Sequence, residues 1–133
     1  MGIIYLASPY TNTDHNVSQA RYMAVTQVAA QLVVQGKIVF SPITMTHPFD
    51  KIIAGAENTL GSDYWVKFDE AFMVACDALW ILKLPGWDQS SGIKRETEFF
   101  TERGIEPIFL EPSDFDISKS NSDFRAAWNL PTR

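Results

Sequence analysis

The chain has 133 residues, 46% of them apolar, and carries 16 acidic against 11 basic side chains for a formal net charge of -5 at pH 7. That length supports one domain with a single core and leaves no room for two. The acidic balance argues against a nucleic-acid polymer as partner, while a single phosphate remains possible at a helix N-terminus.

In chain order, Ile3 to Ala7 is a continuous apolar run ended by Ser8-Pro9, which fits a strand buried on both faces. A polar loop from Thr11 to Asn16 leads to a helical pattern from Val17 to Gln35, with Val17, Ala20, Ala24, Val28 and Leu32 on one side and Gly36 as the stop. A second strand is predicted at Lys37 to Phe40, broken by Ser41-Pro42. The stretch from Ile43 to Gly61 lacks clean periodicity and reads as a loop with a short helix. A helix follows from Ser62, its N-cap, to Cys76. Then come a third strand at Ala78 to Leu82, a loop from Pro85 to Ser91, a helix to Arg103 and a fourth strand at Pro107 to Leu110. The tail from Glu111 is polar and turn-rich, with Trp128 as a late apolar anchor.

This alternation predicts one α/β domain over residues 1–133, with its core at 3–110 and a C-terminal extension at 111–133. The expected architecture is a three-layer, doubly wound, flavodoxin- or Rossmann-like sandwich around a mainly parallel sheet of four or five strands. The lone Cys76 excludes an internal disulfide, and His15 and His47 lack metal-ligand spacing, so no metal is expected. Tyr5, Ser8 and Pro9 interrupt the N-terminus where a signal peptide needs an apolar run, and no stretch reaches membrane-spanning length. The expectation is a cytoplasmic protein with no membrane partner.

Two acids stand on apolar faces. Turning about 100° per residue, Glu96 and Thr97 fall on the side of Ile93 and Phe100, with Arg95, Glu98 and Glu102 opposite. Asp69 shares a face with Trp65, Phe72, Met73 and Cys76. Burying a carboxylate is costly unless it is paired or used. The plainer alternative is a Glu that caps or braces its helix. Paired carboxylates suit glycosidic cleavage, in which one acts on the anomeric carbon and the other handles the leaving group's proton.

Tyr5-Leu6-Ala7-Ser8-Pro9-Tyr10, Asp69 with Asp77, and Ser90-Ser91-Gly92 followed by Glu96 resemble, in that order and spacing, the nucleoside 2-deoxyribosyltransferase superfamily. The likeness is greatest to its small bacterial and phage members, and the chain is also similar to the deoxyribonucleoside 5'-monophosphate N-glycosidases. The resemblance implies that Glu96 is the nucleophile at C1', that Asp69 is the acid near the leaving base, and that Tyr5 positions the nucleophile. It further implies a nucleotide or nucleoside as small-molecule partner, no cofactor, and a homodimer or homotetramer.

Where the transferases carry Asp before Ser-Gly, this chain has Ser90, as the monophosphate glycosidases do, and that favours a nucleotide over a free nucleoside. Ser90, Ser91 and the amide of Gly92 suit a phosphate, and Ser8, Pro9 and Tyr10 complete the expected pocket. His47 in the second loop is a further contact, with a structural role as its alternative. Trp87, beside Pro85 and Gly86, is placed to stack on a base, to close the loop or to fill a subunit interface. Trp80 and Trp65 read as packing residues, and Asp77 as ordering the turn into the third strand. The alternative function is a nucleotide-binding or signalling module without turnover. A flavodoxin-type phosphate domain fits less well, because the loop after the first strand lacks the expected Gly-rich or Ser/Thr-rich character.

Overall fold

Four apolar segments pair side by side: β1 (Ile3–Ala7), β2 (Ile38–Phe40), β3 (Ala78–Leu82) and β4 (Ile108–Leu110). The structure, a computed structural model, describes residues 2–53 and 60–117. All three pairings are parallel and the strand order is β2-β1-β3-β4. Ile3 sits opposite Ile38 on one side, while Ile4 sits opposite Ala78 on the other, and Trp80 pairs with Ile108.

Period-two alternation splits the core into two layers. Tyr5, Ala7, Leu79 and Ile81 face one cluster with Met73, Cys76, Ile93 and Phe100. Leu6 and Leu82 face the other, with Ala24, Val25, Val28, Leu32 and Ile43. Helices α1 (His15–Val34) and α2 (Pro42–Ile53) therefore cover one face of the sheet, and α3 (Ser62–Met73) and α4 (Ser91–Glu102) the other. This is the three-layer α/β sandwich expected from the sequence, with all four strands parallel.

Several boundaries differ from expectation, each for a local reason. α1 starts two residues before Val17 because Asp14 caps it, accepting from the N–H of Asn16 at 2.9 Å. Its inward face is not purely apolar: Ala20 is exposed, while Gln27 and Gln31 are buried. Gln31 exchanges hydrogen bonds with the backbone of Asp116, its amide donating to the carbonyl at 2.7 Å and its oxygen accepting at 3.0 Å, so a polar side chain ties the segment after β4 to the helix.

The stretch expected as a loop with a short helix holds the three turns of α2, which runs through Pro48. Pro42 in its first turn needs no intrahelical donor, and Pro48 removes one bond without ending the helix. Ser62 is the first helical residue of α3 and not its cap; Gly61 takes that position, its carbonyl accepting from Tyr64 at 3.1 Å. α3 ends at Met73 rather than Cys76, through tighter turns in which Ala75 and Cys76 donate to Phe72 and Met73 at 3.0 and 3.1 Å. Asp77 orders the entry to β3, accepting from the N–H of Ile3 at 3.0 Å and donating its own to Ile3 at 2.8 Å. Trp128 and the tail from residue 118 lie outside the described residues, as do positions 54–59. No helix among the described residues is long and apolar enough to cross a membrane.

Candidate active site

β1 has β2 on one side and β3 on the other, so the chain leaves its carboxyl end for α1 while the neighbouring loops diverge toward α2 and α4. Such a topological switch opens a crevice at the carboxyl edge of a parallel sheet. A cavity of about 660 Å³ occupies that position. It is lined by Ser8, Pro9 and Tyr10 after β1, by Thr46 and Asp50 of α2, by Trp65 and Asp69 of α3, and by Ser90, Ser91, Gly92, Arg95 and Glu96 around the start of α4.

Glu96 is 6% exposed and lies on the inward stripe of α4 between Ile93 and Phe100. The Tyr5 hydroxyl donates to its Oε2. Tyr5 is fully buried in the core between Phe40 and Phe100, so it reaches Glu96 from beneath the cavity. Burial raises the Glu96 carboxyl to about 7, against the lowering effect of the Tyr5 hydrogen bond, and the charge of Asp69 adds to the rise. Burial likewise lifts Asp69 to about 6, and Arg95 works against it. The Tyr5 phenol is pushed well above its ordinary value by burial first and by Glu96 second, so it stays protonated and donates. Two carboxyls from separate helices thus line one cavity with ionisations raised toward neutrality.

The start of α4 contributes donors. The Ser90 oxygen caps the helix, accepting from the N–H of Ile93 at 3.2 Å. The amides of Ser91 and Gly92 precede the first intrahelical bond and have no acceptor within the helix. Two further buried atoms in the cavity wall, Ser8 Oγ and Arg95 Nε, have no hydrogen-bond partner among the described residues. Hydroxyls, orphan amides and a guanidinium make an anion-binding wall.

The structure brings together most of the residues singled out in the sequence and separates two of them. His47 is buried but does not line the cavity. Its Nδ1 lies 2.6 Å from the Tyr10 hydroxyl and its Nε2 2.9 Å from Gln19 Oε1, and the ring stacks on Tyr22 at 4.1 Å. Both nitrogens are used inside the protein, which is the structural alternative and leaves no atom for direct contact. Trp87 also faces away: its ring packs on Phe109 at 5.3 Å, with Lys83 Nζ 5.6 Å from its centre. It closes the loop and does not offer a stacking face to the cavity.

Several lining residues were not anticipated, Arg95, Trp65 and Arg21 among them. Arg95 was expected on the outer side of α4 as a solvated charge, yet it is half-buried and its long side chain lines the cavity. Trp65, expected to pack α3, reaches the cavity wall. Arg21 of α1 lines it too and donates to the carbonyls of Thr11 at 3.2 Å and Pro85 at 3.0 Å, joining the loop after β1 to the loop after β3. Gly86, at φ +94°, lets that loop pass close to the guanidinium: a Cβ there would lie 2.7 Å from Arg21 Nη2. A contact between Arg21 and Pro85, 64 residues apart, leaves no local trace in the sequence. Among the described residues no group of three or more His, Cys, Asp or Glu side chains is arranged to hold a metal ion.

The chain belongs to the family described as a domain of unknown function, DUF1937, whose match covers residues 2–111 and so every cavity residue named above. No curated protein matches it.

Proposed function

We propose that this DUF1937 protein cleaves the N-glycosidic bond of a nucleotide or nucleoside, or transfers its deoxyribosyl group, through a covalent ester on Glu96. The observation that carries this reading is the pair Asp69 and Glu96, brought by two helices to one cavity with Glu96 anchored by Tyr5. Glu96 would attack the anomeric carbon as the C1'–N bond breaks. The bond's electrons pass to the base nitrogen, and Asp69 supplies the proton. Water, or a second base, then adds at C1' and releases Glu96, with Asp69 accepting the proton.

These roles need the proton on Asp69 while Glu96 is ionised, whereas the free site favours the reverse, about 7 against about 6. Positive charge developing on the sugar beside Glu96 is of the sign to offset that preference. Among the described residues no ion pair joins Glu96 to Lys94, Arg95 or Arg103, which supports chemistry over a surface brace.

Ser90, Ser91, Gly92, Ser8 and Arg95 support a 5'-phosphate on the substrate. The reading includes a reducing, cytoplasmic setting and a homodimer or homotetramer, the latter supported by exposed Ile108 and Phe109 on the edge strand β4. The test is incubation with deoxyribonucleosides and their 5'-monophosphates, following free base by chromatography beside Glu96→Ala. Base release lost in the variant by roughly a thousand-fold or more is expected; release that persists removes Glu96 as nucleophile.

A further inference from the structure

We propose that Tyr10 is a specificity-determining hydrogen-bond acceptor, its own proton committed to His47, so that its wall of the cavity selects a ligand bearing an N–H or O–H donor. The polarity is set from behind. Gln19 of α1 presents Oε1 to His47 Nε2 at 2.9 Å, so Nε2 carries the hydrogen. A neutral imidazole with hydrogen on Nε2 has an acceptor at Nδ1, and the group it meets there among the described residues is the Tyr10 hydroxyl at 2.6 Å. Tyr10 therefore donates backward, which leaves the lone pairs of its hydroxyl for a ligand in the cavity that Tyr10 lines.

His47 is kept neutral by its surroundings. It is buried, it stacks on Tyr22 of α1, and of the charges on its own helix Lys51 opposes protonation while Asp50 favours it. Burial dominates and lowers its ionisation below the ordinary value.

The neighbouring wall residues repeat the pattern. Thr46 Oγ1 donates to the Pro42 carbonyl at 2.9 Å, which also leaves it as an acceptor toward the cavity, and Asp50 one turn on is a carboxylate. Tyr10, Thr46 and Asp50 thus form an acceptor wall on the α1/α2 side of the sheet. The start of α4, with its orphan amides and Arg95, forms a donor wall on the other side. The matching ligand carries an anion at one end and a hydrogen-bond donor at the other. This deepens the nucleotide reading, on which it rests for its choice of probe, and the donor is either a sugar hydroxyl or an amine of the base.

Two measurements test it. The first needs no ligand: ring-nitrogen NMR, assigned against His15→Gln, is expected to show His47 neutral with hydrogen on Nε2. Hydrogen on Nδ1, or an imidazolium, would reverse Tyr10 and overturn the proposal. The second is calorimetric binding to Glu96→Gln protein, alone and with Tyr10→Phe added. The 5'-monophosphates of deoxyadenosine, purine 2'-deoxyriboside, whose base has neither an amine nor an N1–H, and dideoxyadenosine separate a base amine from a sugar hydroxyl. One of these donors is expected to improve binding about 10-fold, and Tyr10→Phe to erase that preference alone. If nucleotides bind and Tyr10→Phe leaves every preference intact, the proposal falls and the nucleotide reading stands; if none binds, both fall.

Discussion

Replacing Glu96 with Gln should stabilise the protein at alkaline pH and leave it unchanged in acid. The Glu96 carboxyl ionises near 4.5 in the unfolded chain and at about 7 in the folded one, chiefly because folding buries it. Between those values the folded state binds more protons than the unfolded state, so stability falls as pH rises through the window. Below it both states are protonated and the penalty vanishes; above it the full penalty applies, about 3 kcal/mol. Gln has the shape of the protonated carboxyl and keeps an oxygen for the Tyr5 hydroxyl, so it carries no such penalty.

Thermal unfolding of the two proteins followed by circular dichroism from about pH 4 to pH 9 should give coincident midpoints at the acid end. By about pH 8 the variant should melt roughly 10 °C higher. Asp69 titrates in an overlapping range but is present in both proteins, so it largely cancels in the difference. A variant that melts lower than wild type at about pH 8, or a difference independent of pH, would show that the buried carboxyl is not strained by its ionisation, and the account of the site would fail with it.

Tyr5→Phe removes the hydrogen bond that holds the Glu96 anion, so the acid limb of any pH–rate profile should move above the value near 7, and stability should fall by about 1 to 3 kcal/mol; an unmoved limb in a folded variant would separate Tyr5 from Glu96 function. Arg95→Met takes away the cation that lowers both Asp69 and Glu96. Both carboxyls should then titrate higher by NMR, and binding of inorganic phosphate should weaken about 10-fold; phosphate binding equal to wild type would take Arg95 out of the anion wall.

The inward acids were legible because helical periodicity converts directly into a face: Glu96 shares its turn with Ile93 and Phe100, and all three are buried. Ser90 was singled out through the resemblance, as a phosphate contact; the structure adds that its oxygen caps α4, accepting from the N–H of Ile93 at 3.2 Å. His47 was misplaced because its role is defined by partners on other elements, Tyr10, Gln19 and Tyr22, which no local pattern connects to α2. Arg95 was misplaced because its backbone lies toward the outer side of α4 while its long side chain bends into the cavity.

The sequence by itself determined the order of the four strands and the inward faces of α3 and α4, because apolar periodicity acts within a few residues. It also determined that two carboxyls point toward the interior. Only the tertiary structure decided that those carboxyls share one cavity, that Tyr5 holds one of them from beneath, and that Arg21 and Arg95 line the same cavity. The reason is physical. Faces follow from the local geometry of the backbone, whereas meetings between side chains follow from how the sheet orders its strands and where the loops at its carboxyl edge diverge.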